Sequence, residues 1–382
     1  MPSQHVAVIG AGIVGLAHAW SAAKRGHQVT VFERSPQASG GSIRNFGMVW
    51  PIGQPIGPLR LIALESQAAW LELGRSAGVW VNHCGSFHLA HHADEWEVLR
   101  QFHDLAAGQG IETELLSAEE VTNRTEAANP HRLQGGLFSP TELCVNPRQA
   151  IARLAGFLAE TFGVRFEFGT TIVQADENGL KASDGRTWRP QRTIVCSGPD
   201  FETLFSEVLR SSGLRRCKLQ MLKTIPQPEQ WKLGPHIASG LTLRHYANFE
   251  DCPALADVKA RIAGESPELD RYGIHVMASQ NDLGEVILGD SHEYDESIEP
   301  FDRTEIDDLI LRELRDILRL PNWSIAGRWH GMYAKFPTGP AFQAEPIPGI
   351  HIHTGTGGAG MTMSFGLAEQ AWRAWSPDLE TV

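Results

Sequence analysis

No run of about 18 apolar residues occurs anywhere in the chain, so nothing in it reads as a membrane span. The apolar stretch near its start, "VAVIGAGIVGLAHAW", lacks a preceding basic region and a small-residue cleavage site, and glycines interrupt it, so it does not read as a secretory leader. Cysteine is scarce. Cys84, Cys144, Cys196, Cys217 and Cys252 are odd in number, scattered, and form neither a CxxC pair nor a metal-ligand spacing. That excludes a disulfide framework and gives no metal motif; the expectation is buried, reduced thiols in a cytoplasmic protein without a bound metal. Positive charge is also short, with 33 Lys and Arg against 45 Asp and Glu and a formal net charge of -12. A general nucleic-acid or anionic-membrane surface is thereby excluded, and an anionic substrate would need locally placed basic groups. Internal repeats and linker tracts are missing, and only the last few residues are expected to be disordered.

What is present is ordinary in bulk and unusual in detail. A chain of 382 residues, 42% hydrophobic and 20% charged, can bury the cores of two or three domain-sized units. Its 38 glycines are clustered, which marks places where a backbone must come close to something. The first cluster lies in "HVAVIGAGIVGLAHAWSAAKRGHQVTVFER". Val6 to Ile9 is β-branched and reads as a buried parallel strand. Gly10, Gly12 and Gly15 form GxGxxG, with Ala11, Ile13 and Val14 between them. Ile13 to Lys24 has helical patterning with small residues that can pack on a sheet, and Arg25-Gly26 stops it. "QVTVFE" is a second strand ending in Glu33, 18 residues after Gly15.

Each part suits a dinucleotide. Gly10 permits the tight turn, Gly12 admits the pyrophosphate to the backbone, and Gly15 lets helix and strand pack closely. The helix N-terminus offers N–H groups to phosphate, and Glu33 can accept from ribose hydroxyls, which disfavours a 2′-phosphate. The motif alone does not separate NAD from FAD. A plain βαβ unit is the bland alternative.

Three later stretches bear on that choice. "RSPQASGGSIRNFGMVWPIG" follows the acid. "VRFEFGTTIV", Val164 to Val173, reads as strand material and leads through turn signals at Asn178-Gly179 and Asp184-Gly185 to the apolar strand "TIVCSG". "PGIHIHTGTGGAGMTMSFGLAEQAWRAW" gives a strand at Ile350 to His353, a second glycine-rich loop, and a helix from Met361 to about Trp375. In this order the segments resemble FAD-dependent oxidoreductases of the D-amino-acid oxidase superfamily, a resemblance that covers almost the whole chain. It implies non-covalent FAD, held by the first motif with Arg34 and by Gly41, Ser42, Arg44, Asn45, Phe46, Gly47 and Met48. It adds Val173, Ser197 and Gly198 from the middle of the chain, and Gly357, Gly358, Ala359, Gly360, Met361 and Thr362 from its end. A helix N-terminus at the flavin pyrimidine edge would stabilise negative charge there.

The implied fold class is α/β: a Rossmann-like FAD-binding domain plus an α+β substrate domain with a mainly antiparallel sheet. The FAD domain is expected to be discontinuous, from residues 1–80, 145–215 and 325–382, with the substrate domain from 81–144 and 216–324. Helices are expected at Leu59 to Leu73, with Leu61, Leu64, Ala68 and Leu71 on one face, and at "ADEWEVLRQFHDLAAGQG". Others are expected at "NPRQAIARLAGFLAETFG", after Ser117, and at "DRTEIDDLILRELRDILRL", ended by Pro321. A hairpin is expected to turn near Asn281 to Gly284.

Glycine oxidase, D-amino-acid dehydrogenase and sarcosine oxidase belong to the superfamily in question. The resemblance therefore implies oxidation of the C–N bond of a small amine with an anionic head. A hydride passes from carbon to flavin N5 and the imine is hydrolysed, with positioning supplying much of the rate. The electron acceptor is oxygen or unknown. Where the family often carries an anion-clamping arginine this chain has "RWHGMYAKFPTGP", with Tyr333 and Lys335 at the expected place and Arg328 nearby. Where sarcosine oxidase attaches its flavin through Cys-Met-Tyr, this chain reads Gly331-Met332-Tyr333, hence the non-covalent expectation.

Candidates to hold the anion are Arg44, Lys335, and the group Arg244, His245, Tyr246. Against these stand a pyrophosphate contact for Arg44, a surface position for Lys335, and a solvated strand end for the third group. His275, alternating with Tyr272 and Met277, is a pocket wall or a buried structural histidine; Trp50 is a pocket wall or core. Gln220-Met221 is expected near the flavin ring. "SIRNFGMVWPIGQP" also resembles a bacterial subgroup linked to aminophosphonate breakdown, which implies 2-aminoethylphosphonate or its N-methyl form. A phosphonate dianion asks for several donors, lysine included, in place of one arginine fork. A glycine, sarcosine or D-amino acid enzyme, an NAD-dependent dehydrogenase, and a non-catalytic flavin-binding protein are the alternatives.

Overall fold

A computed structural model describes residues 3–295 and 298–375; the expected C-terminal tail lies outside them. The β-branched run at the start forms the strand His5–Ile9, followed by the helix Ile13–Lys24 and the strand Gln28–Glu33. His5–Ile9 lies inside a six-stranded sheet, paired parallel with Gln28–Glu33 on one side and Arg192–Val195 on the other. Arg165–Phe168 and Ile350–Thr354 extend the sheet in parallel, and Phe342–Ile347 closes one edge antiparallel. Alternation along the first strand sends its side chains to opposite layers. Val6 and Val8 pack under the helices Ile13–Lys24, Pro147–Phe162 and Gly360–Trp375. Ala7 and Ile9 pack against Ile172, Leu180 and Ala182 of a small three-stranded antiparallel sheet. Full burial of each valine or isoleucine here contributes about 1.5–3 kcal/mol.

A second, nine-stranded sheet is mostly antiparallel. Its ten-residue strand Arg215–Thr224 pairs with Ile325–Lys335 along one edge and with Val286–Gly289 and Glu293–Asp295 along the other. The expected hairpin is present as Met277–Gln280 and Val286–Gly289. Helices Ala93–Ala107, Leu255–Glu265 and Thr304–Ile317 cover its core. Among the described residues no helix is long and apolar enough to cross a membrane. All five cysteines are unpaired, and four are buried.

Three local expectations are corrected. The helix Pro58–Ser76 buries Ile62, Ala63, Ser66, Trp70 and Leu73, whereas Leu61 is 67% exposed. Ala63 and Ser66 stand among the larger buried residues because the helix packs closely on Gly360–Trp375: a Cβ at Gly366 would stand 2.3 Å from the Ile62 carbonyl oxygen. The strand material expected at Val164 to Val173 is present in two pieces, because Gly169 at φ +68° turns the chain out of the six-stranded sheet and Ile172–Asp176 joins the small one. Arg244 to Tyr246 is not a strand end; it follows the 3-10 turn Gly240–Arg244. The helix Thr304–Ile317 stops before Pro321, with Leu318 already extended.

Candidate active site

The glycines of the first turn stand where side chains cannot. Gly10 has φ +109°, and a Cβ there would lie 2.3 Å from the Cys196 carbonyl oxygen; one at Gly15 would lie 1.9 Å from the Gly10 carbonyl oxygen. Glu33 closes the turn by accepting from the Ala11 N–H at 3.0 Å and the Ser35 N–H at 2.9 Å. The helix Ile13–Lys24 has no acidic residue in its first turn and no side-chain cap from Gly12; the Ser42 hydroxyl accepts from the Ile13 N–H at 2.9 Å. A helix start so arranged is fitted to an anion.

The segment carrying Ser42 is fastened at several points. Asn45 donates to the carbonyls of Gly41 and Ser42, both at 3.0 Å, and accepts from the Gly47 N–H at 2.8 Å. Gly41 sits where a Cβ would meet the Met332 carbonyl oxygen at 2.9 Å, and Gly47, at φ +75°, where one would meet the Val145 carbonyl oxygen at 2.0 Å. Trp50 donates its N–H to the Thr362 hydroxyl at 2.9 Å. The segment thus bridges the first helix, the strand Ile325–Lys335 and the C-terminal helix.

Between these elements lies a cavity of about 520 Å³, within the usual range for small-molecule sites. Residues expected at the cofactor line it: Gly12, Ile13 and Val14; Gly41, Ser42, Arg44, Asn45, Phe46 and Met48; Gly198; and Gly357 to Thr362. The other expected cofactor residues lie outside the lining. Gly10, Ala11, Gly15, Glu33 and Gly47 shape the backbone behind it. Arg34 pairs with Asp200 at 2.8 Å, the Ser197 hydroxyl donates to the Asp200 carbonyl at 3.1 Å, and Val173 is 43% exposed on the small sheet. The helix start without an acidic side chain, the side-chain-free backbone at Gly12 and Gly41, and the acid at Glu33 fit a dinucleotide.

All five residues expected on the substrate side, Arg44, Trp50, His275, Tyr333 and Lys335, line the same cavity. Arg44 donates to the His330 carbonyl at 3.4 Å and Lys335 to the Tyr294 hydroxyl at 3.4 Å. Trp50 is 4% exposed and stands beside His88, His236 and Tyr246, so it is both core and wall. The third basic group divides: Arg244 pairs with Asp270 and donates to the Ile274 carbonyl, while His245 and Tyr246 line the cavity. Arg328 pairs with Asp307 at 3.0 Å. Met221 reaches the cavity; its neighbour Gln220 points the other way, to Asp307 and the Arg303 carbonyl. Tyr272 donates to Glu305 at 2.8 Å and takes no part in the lining.

Sequence reasoning missed Asp290, His292 and Tyr294, all in the cavity wall. Their signal was available: in "GDSHEYD" they recur at every second position, and successive side chains of extended backbone alternate sides. His292 stands with His245 and His275, ring centroids 3.8 to 4.8 Å apart. Removal from bulk water, above all, holds these imidazoles neutral: buried His275 and the cavity-facing His245 are lowered well below the usual histidine range and buried His292 is lowered to about 4, with the Lys335 ammonium adding to each effect. Burial likewise pushes the Asp290 carboxyl well up.

The DAO family profile, described as FAD dependent oxidoreductase, matches residues 5–372. The chain belongs to that family: it is an FAD-dependent oxidoreductase, and the NAD reading falls away. Glycine oxidase of Geobacillus kaustophilus is 25% identical over 203 residues, which are 50% of this chain and 54% of that protein. The chain spans about half the length of that curated relative. In three dimensions the G. kaustophilus glycine oxidase aligns at a TM-score of 0.78 with 18% identity, covering 100% of this chain and 96% of the other. L-α-Glycerophosphate oxidase from Mycoplasma pneumoniae, with FAD bound, aligns at 0.73 with 16% identity, covering 98% and 94%. These likenesses establish the fold.

Proposed function

We propose that the protein oxidises the C–N bond of a small amine with an anionic head, and that the head is a phosphonate, as in 2-aminoethylphosphonate or its N-methyl form. One observation carries the choice of head. Arg244 and Arg328 lie outside the cavity lining and are tied to Asp270 and Asp307, while the cavity offers a single arginine, Arg44, with separate donors in Lys335, Tyr294 and Tyr333. A phosphonate, with three oxygens and up to two negative charges, is met by dispersed donors and point charges; a carboxylate is met best by one planar fork.

FAD, when bound, supplies the two-electron acceptor. This chain's residues do the rest. Gly12 to Val14, Glu33 and Ser42 would hold its phosphate and ribose portions, and Gly357 to Thr362 would border its ring. Lys335 and Arg44 bind the anionic head. Met48, Trp50, Met221 and Met277 wall the cavity with apolar surface and keep water from the reacting carbon. The neutral imidazoles add no positive charge at pH 7, so the two cations carry the attraction. On this reading residues 1–80, 145–215 and 325–382 serve the cofactor and residues 81–144 and 216–324 serve the substrate.

An anaerobic screen of flavin absorbance tests the proposal. Bleaching by 2-aminoethylphosphonate or its N-methyl form, and not by glycine, sarcosine or D-alanine, is expected. Bleaching by the amino acids alone would give the second reading, an amino acid oxidase or dehydrogenase, which the 25% identity to a glycine oxidase favours. Flavin that no amine reduces would leave a non-catalytic flavoprotein. Oxygen uptake compared with reduction of an artificial acceptor assigns oxidase or dehydrogenase.

A further inference from the structure

We infer that His245, His275, His292 and Asp290 form a site for a divalent transition metal of the zinc class in the wall of the cavity. One ring nitrogen from each histidine lies within 4.8 Å of the other two. Asp290 stands between two of them, Oδ1 at 3.5 Å from His275 Nε2 and Oδ2 at 3.9 Å from His292 Nε2. Donors of a tetrahedral site with bonds of about 2.0–2.2 Å are about 3.3–3.6 Å apart. The His275–Asp290 edge, at 3.5 Å, already matches that; the His292–Asp290 edge, at 3.9 Å, and the histidine nitrogens, up to 4.8 Å apart, must draw in when the metal binds.

The groups wait in a state that asks for a cation. Among the described residues, neither ring nitrogen of His275 nor Asp290 Oδ1 has a hydrogen-bond partner, although His275 is 3% and Asp290 5% exposed. Buried polar atoms are almost always satisfied, and an unpaired one is destabilising. His292 donates from Nδ1 to the Gly273 carbonyl at 3.3 Å, which turns the Nε2 lone pair toward Asp290. A backbone carbonyl behind the ring is how metal-bound imidazoles are oriented. An anion would meet the Asp290 carboxyl, whereas a cation meets one carboxylate and three lone pairs. Imidazole donors select zinc, copper, nickel or iron over calcium and magnesium.

The frame is rigid. His275 and Asp290 exchange backbone hydrogen bonds, at 3.3 and 2.9 Å, at the end of the hairpin, so their side chains are set by the sheet. His245 comes from the turn after Gly240–Arg244 and is exposed to the cavity. A metal here would therefore keep one side open to a substrate oxygen. That last step alone rests on the phosphonate reading; the metal site does not.

The test uses the FAD-loaded protein, purified without metal-affinity resin from cells grown with added zinc. Elemental analysis should find about one zinc per chain. After stripping, cobalt(II) titration should produce ligand-field absorption to the red of the flavin bands. His275→Asn and Asp290→Asn should weaken binding by on the order of 100-fold, and His245→Asn, at an exposed position, should do so with FAD content and thermal midpoint unchanged. Protein without zinc that shows no cobalt spectrum overturns the inference, as does unaltered cobalt binding in the folded His245→Asn protein. If the protein binds neither zinc nor cobalt and aminoalkylphosphonates bleach its flavin, the metal site falls and the proposed reaction stands. If metal binds and no amine bleaches the flavin, the reverse holds.

Discussion

Trp50 donates its backbone N–H to the hydroxyl of Thr362 at 2.9 Å, across 312 positions of sequence. The bond ties the segment that crosses the cavity to the first turn of the C-terminal helix. Both residues are buried, at 4% and 3% exposure. Thr362→Val keeps the shape and removes the acceptor, leaving a buried N–H unpaired. The expected cost is about 1–3 kcal/mol, read by denaturant titration, together with faster FAD loss on dilution. Unchanged stability and unchanged FAD retention would show that the bond does not hold the segment.

Gly10→Ala should abolish stable FAD binding. The substitution places a Cβ 2.3 Å from the Cys196 carbonyl oxygen at φ +109°, where an L-residue is strained in any case. Either the chain at Cys196 shifts or the turn at Gly10 does, and Cys196 and Gly12 both line the cavity. The ratio of flavin to protein absorbance after gel filtration measures the loss.

Lys335→Met should raise KM for the anionic amine by about 10–100-fold, the range of a charge-assisted bond lost at about 1.5–3 kcal/mol, and leave FAD content intact. Arg44→Ala separates two roles: retained FAD with a raised KM assigns Arg44 to substrate, and lost FAD assigns it to the pyrophosphate. Steady-state kinetics and flavin absorbance together decide each case.

The protein should lose stability as pH falls below about 6.5. Burial lowers His88 to about 3 and His236 to about 4. Both are bases kept neutral in the folded chain and protonated near 6.5 in the unfolded one, so between pH 6.5 and about 4 the unfolded state binds more protons. Each then removes up to about 1.4 kcal/mol of stability per pH unit on acidification. Above pH 6.5 their effect is flat. Urea midpoints from pH 5 to 8 should show this slope, and His88→Leu should reduce it by one proton's worth.

Acid precipitation should release all of the flavin into the supernatant. Gly331 carries no thiol at the position where the resemblance to sarcosine oxidase would place a covalent link. Yellow colour retained in the pellet would contradict non-covalent binding.

The first helix and second strand begin and end where the sequence places them, Ile13–Lys24 and Gln28–Glu33. Their limits are set by glycines and β-branched runs acting within a few residues, and such signals survive without tertiary context. The helix beginning at Pro58 was legible in existence but not in orientation. Its inner face is chosen by close contact with Gly366, for which Ser66 and Ala63 are small enough and Leu61 is not needed.

The glycine-rich turn and the family were therefore determined by the sequence itself, because glycine spacing, a helix start and an acid are local facts about the backbone. Which basic groups remain available was decided only by the fold. Arg244 and Arg328 look free in the sequence and are paired to Asp270 and Asp307, 26 and 21 positions away. His245, His275, Asp290 and His292 read as unrelated residues until a hairpin and a turn bring them into one wall. Electrostatic and coordinating sites depend on distances of a few ångströms between distant positions, and only the strand pairing of the nine-stranded sheet, with the turns and helices packed on it, sets those distances.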